Sequence, residues 1–314
     1  MHPSPMIDRV IRRVSLHTPN LFAANVLLLG MNFIVKNRRL PVRTTSARAT
    51  LSDYIFWKSV GSWTDFERAC VDKDLSKQIA RQLCPDVGIV RTLDVFALEG
   101  LSFADFKERL TKFQGQHAVA KPTHGSGSVL FLAEDLSERK LRKFYKDCQA
   151  SYFPLFREGQ YDKLEKKVLI ERSLGNPSIG RKSANDIKFF CSRGKAFMCQ
   201  IVTDRFEDIR LVNLAVPDFI DSGVSYGTVR PDQPLRRPER WQRFIELAEK
   251  LSVPFEFVRI DLYDGDDDIY FGEFTFTPGA GLTPFSDPGF DQWLLRQLRC
   301  KKPVLPQPSL KWAR

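Results

Sequence analysis

The strongest constraint on the fold is a pair of apolar segments near the carboxyl end, joined by a short acidic turn. Residues 256–263 and 269–277 flank residues 264–268, a pattern that predicts a β-hairpin. Side chains two residues apart share a face of a strand, so one face of this hairpin is apolar. The predicted inward set is Val258, Ile260 and Leu262 on the first strand and Gly272, Phe274 and Phe276 on the second. The hairpin therefore requires a sheet with a buried face.

The opposite face of the hairpin carries charged side chains. Arg259 and Asp261 point to it from the first strand, and Glu273 and Thr275 from the second. Folding the chain about Asp266 predicts Arg259 opposite Glu273, with Asp261 diagonal to it. Two adjacent carboxylates repel each other unless a cation neutralises them. The pattern therefore indicates either a Mg²⁺ site, shared with phosphates, or a surface salt bridge between Arg259 and Glu273.

A second group of polar residues is the segment 121–128, Lys-Pro-Thr-His-Gly-Ser-Gly-Ser. A predicted strand delivers Lys121 into a loop with two glycines and three hydroxyl side chains. Backbone N–H groups of such loops can approach phosphate oxygens closely, and the lysine adds a positive charge. The lysine precedes the glycines, so this is not the GxxxxGK[ST] loop. The segment favours a phosphate site, although Gly/Ser turns between strands are common.

Helical and strand patterns alternate along the rest of the chain. Helices are predicted at 50–58, 72–83, 102–112, 136–148, 238–251 and 289–299, and strands at 87–90, 95–98, 118–121, 129–133, 167–171, 187–191 and 196–202. Several strands are predicted to pair antiparallel, so the fold class is α+β with two sheets. The length of 314 residues fits two packed units better than one.

The net charge of +10 is concentrated at the two ends of the chain. Residues 1–50 carry a net +7 and residues 290–314 a net +5, which leaves −2 for the body. No nucleic-acid-binding motif accompanies the charge, so we expect no nucleic acid partner. The basic ends are expected either to be solvated or to make peripheral contact with an anionic membrane surface. The six cysteines form no CxxC pair, which indicates reduced thiols in a cytoplasmic protein, with a place at the inner face of the membrane left open.

An apolar segment at residues 21–35 lies between clusters of basic residues. It contains Asn25 and Asn32 and is too short for a membrane span. No small-residue cleavage site of a signal peptide follows it. We predict a buried core helix, and a helix lying on a membrane surface is the alternative.

Together these segments resemble the ATP-grasp superfamily. The resemblance rests on the loop 121–128, on Glu171 in LIERSL, and on residues 259–262 and 272–279, in the order of that superfamily's glycine loop, adenine-side strand and magnesium hairpin. Asp72-Lys73 resembles the earlier phosphate lysine of D-alanine–D-alanine ligases. More narrowly, TLSDYIFWK (50–58), DIKFFCSRGKA (186–196), TDRF (203–206) and residues 257–286 resemble the subgroup of the teichuronopeptide biosynthesis protein.

The resemblance implies a role for each matched residue. The implied ATP-binding residues are Lys73 and Lys121 on the phosphates, His124, Gly125, Ser126, Gly127 and Ser128 in a flap, Glu171, Arg172 and Leu174 at the adenine, and Asp186 and Lys188 at the ribose and phosphates. His124 either contacts a phosphate or substrate or fills the flap. The implied magnesium ligands, for two ions, are Asp261, Glu273 and Thr275, the last where other members mostly have Asn. Arg259 is the implied catalytic residue, and candidates for the acceptor pocket are Arg205, Tyr226, Arg230, Gly279 and Gly281.

The implied fold is two α/β subdomains, at 71–172 and 173–314, that clasp ATP after a helical N-terminal extension at 1–70. The implied activity is ADP-forming ligation of a carboxylate to an amine through an acyl phosphate. The implied acid is a uronic acid or acidic peptide of a cell-surface polymer or secondary metabolite. A kinase of the same fold with a hydroxyl acceptor, and a non-catalytic nucleotide-binding protein, are the alternatives. The acid, the amine and the oligomeric state stay open.

Overall fold

A computed structural model describes residues 11, 13–175, 185–203, 210–227, 230–231 and 233–299. The candidate acceptor residue Arg205 and the basic tail after residue 299 lie outside this part of the chain. The helices are α1 Phe22–Asn37, α2 Leu51–Val60, α3 Asp65–Val71, α4 Leu75–Leu83, α5 Phe103–Thr111, α6 Glu138–Gln149, α7 Phe153–Phe156, α8 Trp241–Ser252 and α9 Pro288–Arg299. The strands are β1 Gly88–Ile89, β2 Thr92–Ala97, β3 Ala118–Pro122, β4 Leu130–Phe131, β5 Lys167–Arg172, β6 Asn185–Ser192, β7 Lys195–Thr203, β8 Arg210–Ala215, β9 Ile220–Asp221, β10 Val258–Asp264 and β11 Ile269–Thr275. Short 3₁₀ helices span Gly159–Tyr161 and Pro278–Gly281.

The larger sheet has seven strands in the order β1-β11-β10-β6-β7-β8-β9. Strand β1 runs parallel to β11, and the other neighbours are antiparallel. Helices α3, α4 and α8 pack on one face, where the ring of Trp241 lies 5.4 Å from that of Phe189. The inward side chains of β10, Val258, Ile260 and Leu262, are fully buried on this side, as their alternation predicted.

The smaller sheet has four antiparallel strands in the order β2-β5-β3-β4. Helices α5 and α6 cover one of its faces. The buried residues of this second core include Phe106 and Leu110 of α5, Leu141 and Phe144 of α6, and Ala118, Ala120, Val168 and Ile170 of the sheet. Two sheets, each with its own core, confirm the predicted α+β class.

Residues 71–90 pack on the larger sheet, although the sequence placed them in the first subdomain. Val71, Ile79 and Val87 belong to the core of the larger sheet, and β1 extends its edge. Among the described residues, the smaller sheet is built from strands between Thr92 and Arg172. The division at residues 71 and 173 remains a prediction.

The helix predicted at residues 72–83 begins at Leu75. Asp72 precedes it, and its Oδ1 accepts hydrogen bonds from the backbone N–H groups of Asp74 and Leu75. Helix α3, which the pattern analysis missed, ends just before it and starts at a capping box of Thr64 and Glu67, a T-x-x-E signal present in the sequence. Lys73 therefore lies in the tight connection between two helices.

The apolar segment 21–35 forms α1, but only one side of this helix is buried. Leu29 and Phe33 pack against α2, with the Phe33 ring 5.4 Å from that of Phe56, and Leu28 is also buried. The prediction of a buried core helix is wrong for the outer side, which is exposed. Among the described residues, no helix is long and apolar enough to cross a membrane.

Candidate active site

The hairpin of β10 and β11 brings the predicted charged residues together in a different register. Asp261 is opposite Glu273, and Arg259 is opposite Thr275. The prediction that Arg259 lies opposite Glu273 is therefore wrong. The two carboxylates are direct cross-strand neighbours, a closer arrangement than the predicted diagonal one.

A β-bulge at Gly272 causes this register. The ladder shifts between Leu262 and Asp261, where Gly272 is the extra residue on β11. Phe271 and not Gly272 takes the inward position, and it is fully buried. A Cβ atom at Gly272 would lie 2.8 Å from Cε2 of Tyr263 and 2.9 Å from the carbonyl oxygen of Asp261. Only glycine fits this bulge without a shift of its neighbours.

Asp261 lies between two cations. Arg259 donates from Nε to Oδ1 at 2.6 Å and from Nη2 to Oδ2 at 2.7 Å. Lys188, on β6, donates to Oδ2 at 2.6 Å and is held in turn by Asp186 at 2.7 Å. Burial raises the pKa of the Asp261 carboxyl, and both cations oppose that shift. The sequence analysis had selected all four residues, Arg259, Asp261, Lys188 and Asp186, as site candidates. The sheet places them in one continuous series of hydrogen bonds and ion pairs.

Arg259 also reaches across to β11. Its Nη2 donates to Oγ1 of Thr275 at 3.1 Å and lies 3.5 Å from Oε1 of Glu273. Burial alone disfavours the charged guanidinium, but Asp261 and Glu273 raise the pKa of Arg259 above its ordinary value. The side chain of Glu273 is 32% exposed, against 1% for Asp261. Glu273 is thus the carboxylate of this pair that a ligand can reach.

A cavity of about 360 Å³ lies between the two sheets and borders this hairpin. Glu273 and Gly272 line it from the larger sheet, Lys121 from the smaller sheet, and Lys73 from the connection between α3 and α4. The Nζ of Lys73 donates to the carbonyl of Gly125 in the glycine loop. Burial lowers the pKa of Lys73, and the nearby Glu273 carboxylate acts in the opposite direction. The lining also includes Ser126, Gly127, Ser128, Glu171, Arg172, Ser173 and Leu174.

Glu171 in this cavity pairs with two lysines. Its Oε2 is 2.5 Å from Nζ of Lys77, and its Oε1 contacts Nζ of Lys121. Burial alone raises the pKa of Glu171, but the two lysines lower it below its ordinary value. Lys77 was not among the predicted site residues. Lys77 follows Lys73 by four residues, about one helical turn. This spacing is the sequence feature from which Lys77 could have been predicted.

Four predicted ATP-binding residues do not line this cavity in the described part of the chain: His124, Gly125, Asp186 and Lys188. Asp186 and Lys188 are buried in the contacts to Asp261. His124 is buried behind the glycine loop and lines a second cavity of about 570 Å³ with Tyr152 and Phe156. Burial lowers the pKa of His124, which favours the neutral imidazole. This placement favours the interpretation that His124 fills the loop.

Glu158 is a buried carboxyl that the sequence analysis missed. Its Oε1 accepts hydrogen bonds from Oγ1 of Thr277 at 2.5 Å and from Nε2 of Gln160 at 3.3 Å. Tyr152, which packs against Gly125 of the glycine loop, also hydrogen-bonds to this carboxyl. Burial raises the pKa of Glu158 to about 7, and these donors counter the shift. Gln160 and Tyr152 are near Glu158 in the sequence, but Thr277 is 119 residues away, so no local pattern indicated that this carboxyl is buried.

Three of the candidate acceptor residues meet at the 3₁₀ helix Pro278–Gly281. The Tyr226 hydroxyl donates to the carbonyl of Pro278 at 3.2 Å. Gly279 and Gly281 have φ values of 59° and 67°, a backbone region that favours glycine. Arg230 forms its ion pair with Asp221 of the edge strand β9 instead.

The donor set fits a Mg²⁺ ion that arrives with a polyphosphate. The described ranges contain no group of three or more His, Cys, Asp or Glu side chains able to enclose a metal ion. They offer two carboxylates, Asp261 and Glu273, and the hydroxyl of Thr275 on one face of the hairpin. In nucleotide sites, Mg²⁺ is held by one or two carboxylates while phosphates and water supply the other ligands. Such an ion suits this face, whereas an all-protein metal site does not.

A glycine loop on a small sheet, facing a carboxylate-bearing hairpin on a second sheet across a cavity, is the architecture of an ATP-grasp protein. The family model described as TupA-like ATPgrasp matches residues 69–298, and the chain belongs to this family. Both the predicted family and the predicted ATP-grasp fold are thereby confirmed. No curated protein shows significant sequence similarity to the chain.

Solved structures that are similar to the chain include ATP-grasp enzymes of low sequence identity. ATP-grasp ligase PsnB, complexed with a phosphomimetic variant of its minimal precursor, Mg and ADP, is 11% identical, with a TM-score of 0.39 over 79% of this chain and 67% of that chain. VanG D-Ala:D-Ser ligase from Enterococcus faecalis is 13% identical, with a TM-score of 0.40 over 74% and 61%. D-alanine–D-alanine ligase from Bacillus anthracis, complexed with ATP, is 14% identical, with a TM-score of 0.35 over 67% and 57%. The chain thus spans about two thirds or less of the length of these enzymes.

Proposed function

We propose that the protein is an ATP-dependent ligase that joins a carboxylate to an amine through an acyl phosphate. The observation that carries this proposal is the meeting of Lys73, Lys121, the glycine loop and Glu273 in one cavity, with Arg259 beside it. Two cations and the N–H groups of a glycine loop suit a triphosphate. Lysines that served only in ion pairs within the protein would not need a glycine loop beside them. Membership of an ATP-grasp family supports ATP as the nucleotide.

Asp261 and Glu273 would hold Mg²⁺, as one or two ions, with Thr275 as a direct or water-mediated ligand. When bound, Mg²⁺ would neutralise negative charge on the triphosphate and leave its terminal phosphorus open to attack. Glu273 is the more exposed carboxylate and can bind an ion with little rearrangement. Asp261 would have to share its oxygens between the ion and its two bound cations.

The residues of the chain account for the other parts of the reaction. Lys73 and Lys121 would balance the charge of the α- and β-phosphates, and the loop 125–128 would cover the β- and γ-phosphates and exclude water. A substrate carboxylate oxygen attacks the γ-phosphorus, ADP leaves, and an acyl phosphate forms. An amine then attacks the acyl carbon, loses a proton, and expels phosphate to give an amide. Arg259, which is held by Asp261 through two hydrogen bonds, would stabilise the tetrahedral oxyanion.

We propose the segment 278–285, with Tyr226, as one wall of the acceptor pocket. It follows β11 directly and so continues the strand that carries Glu273 and Thr275. Our candidate acids are a uronic acid or an acidic peptide of a cell-surface polymer or secondary metabolite, with an amino acid or small amine as the second substrate. Such a ligase would act in the cytoplasm, where ATP is available.

The test is a phosphate-release screen in which uronic acids and acidic peptides are paired with amino acids. A ligase releases phosphate only when both substrates are present. Hydroxylamine in place of the amine should trap the acyl phosphate as a hydroxamate, dependent on ATP and the acid. A stable phosphorylated product without hydroxamate would favour a kinase instead. Nucleotide binding without turnover of any pair would favour a non-catalytic protein.

Arg259→Lys tests the proposed role of the guanidinium within the same assay. The lysine keeps one positive charge but loses the planar pair of donors. We expect ATP to bind normally and amide formation to fall by about 100-fold, the size of one oxyanion contact. The control is Arg240→Lys, which changes an arginine paired with Asp264 at the far end of the same hairpin. Equal losses in the two variants would contradict the assignment.

A further inference from the structure

The segment 14–40, which contains α1, carries an unusual concentration of exposed apolar side chains. Nine large apolar side chains are exposed in the part of the chain that the structure describes, and eight of them lie between residues 14 and 40. They are Val14, Leu16, Leu21, Phe22, Leu27, Met31, Ile34 and Leu40. We call this set the outer apolar face. The ninth, Ile220, stands by itself on the edge strand β9.

Three members of the outer apolar face form a stripe along one side of α1. Leu27, Met31 and Ile34 are spaced at i, i+4 and i+7, and they are 64%, 43% and 40% exposed. Leu29 and Phe33 on the opposite side are buried against α2. The helix has 16 residues, about 24 Å, so it can lie on a membrane surface but cannot cross one.

The fold of the N-terminal element does not depend on the outer apolar face. Arg157 is 2% exposed and fastens this element to the body of the protein. Its guanidinium donates to Oγ and the carbonyl of Ser15, to the carbonyls of Thr18 and Pro19, and to Oδ1 of Asn25. At the other end of α1, Nδ2 of Asn37 donates to the carbonyl of Gly281 at 3.0 Å. The helix is therefore anchored from its inner side, and its exposed leucine, methionine and isoleucine side chains take no part in these anchoring contacts.

The charged residues of the segment 13–50, which carries the outer apolar face, have one sign; Arg39 among them pairs with Asp53, and Asp162 contacts Asn20. Residues 13–50 contain six Lys and Arg residues and no Asp or Glu. Arg13 precedes the stripe, and Arg43 and Arg48 follow it; all three are exposed. In a symmetric dimer formed through this face, the arginines of one copy would lie near the arginines of the other. That arrangement would be repulsive. An anionic surface with an apolar interior complements both properties.

We propose that the outer apolar face docks the protein on the surface of an anionic lipid bilayer, with α1 parallel to the membrane plane. The arginines would contact the headgroups while Leu27, Met31 and Ile34 enter the boundary with the acyl chains. Because Asn37 binds Gly281, the docked helix holds the segment after β11 close to the membrane side of the protein. The proposal does not depend on the proposed ligase activity.

The experiment is cosedimentation of the full chain with vesicles, without nucleotide or substrate. We expect binding to vesicles of equal parts phosphatidylglycerol and phosphatidylcholine, weaker binding to phosphatidylcholine alone, and weaker binding at high salt. The double variant Leu27→Glu/Met31→Glu should bind the anionic vesicles at least about tenfold more weakly, since it places two negative charges on the stripe. The matched control, Ile220→Glu, also charges an exposed apolar residue and should bind like the unaltered protein.

Thermal unfolding of each variant in solution verifies that the fold is kept. If the double variant is destabilised, Leu27→Ser, a milder change at the most exposed position of the stripe, serves in its place. Absence of binding to anionic vesicles, or equal binding by the stripe and Ile220 variants, would overturn the proposal. Sedimentation velocity without vesicles tests whether the protein forms a dimer through this face. A dimer that dissociates in the Leu27→Glu/Met31→Glu variant would show that the face binds a second copy of the chain and not a bilayer.

Discussion

The buried Glu158 carboxyl should make the stability of the protein fall as the pH rises toward neutrality. Glu158 is 6% exposed, and burial raises its pKa from 4.5 to about 7. In the unfolded chain the carboxyl loses its proton near pH 4.5, whereas in the folded chain it keeps the proton up to about pH 7. The folded state therefore binds more protons between these values, and stability decreases with increasing pH across this window.

The magnitude follows from the size of the shift. A difference of 2.5 pKa units corresponds to about 3 kcal/mol of unfolding free energy, fully lost above pH 7 and fully retained below pH 4.5. Glu158→Gln keeps an oxygen for the Thr277 and Gln160 donors but cannot ionise. The variant should therefore gain about 2 kcal/mol relative to the unaltered protein between pH 5 and pH 8.

Urea unfolding at a series of pH values measures this difference directly. Other buried acids, such as Asp261 and Asp291, are present in both proteins, so their contributions cancel. Glu99→Gln, at an exposed loop position, is the control and should leave the pH dependence unchanged. A variant whose stability follows the same pH curve as the unaltered protein would refute the assignment of a neutral, buried carboxyl at this position.

Three further predictions concern the cavity and the hairpin. Glu273→Gln should lower turnover by about 100-fold and weaken Mg²⁺-dependent nucleotide binding. Titration with Mg²⁺ measures both effects. Normal kinetics at low Mg²⁺ would show that Glu273 is not a metal ligand. Lys121→Ala should weaken ATP binding by about tenfold. Its Tm should change little, because Lys77 still neutralises Glu171. Calorimetry measures both quantities, and a lowered Tm with unchanged ATP affinity would show that Lys121 is structural. Gly272→Ala should lower the free energy of unfolding by about 1–3 kcal/mol and should lower turnover, because the new Cβ atom meets Tyr263 and the backbone at the bulge. Chemical denaturation and an activity assay measure these effects. A variant with unchanged stability and activity would show that the bulge can accommodate a Cβ atom.

The features that the sequence determined by itself are local and periodic. Alternation along residues 256–277 predicted which side chains of β10 form its apolar face, because strand geometry allows only two faces. Glycines and hydroxyls around residues 121–128 predicted a loop at the end of a strand. Thr50 and the pattern after it predicted helix α2, and the structure shows its capping box. Each of these depends on residues a few positions apart.

The features that only the tertiary structure decided depend on residues far apart in the chain. The bulge at Gly272 depends on close approach to Tyr263 and β10, so alternation on either strand alone gave the wrong partner for Arg259. Lys77 joins the candidate site through Glu171, which is 94 residues away. Glu158 is buried by contacts with Thr277, at a separation of 119 residues. Apolar content predicted that α1 is a helix, but which of its sides is covered depends on where α2 and Arg157 are placed by the rest of the fold. Sequence periodicity gives each element its faces, and tertiary packing decides which of those faces meet.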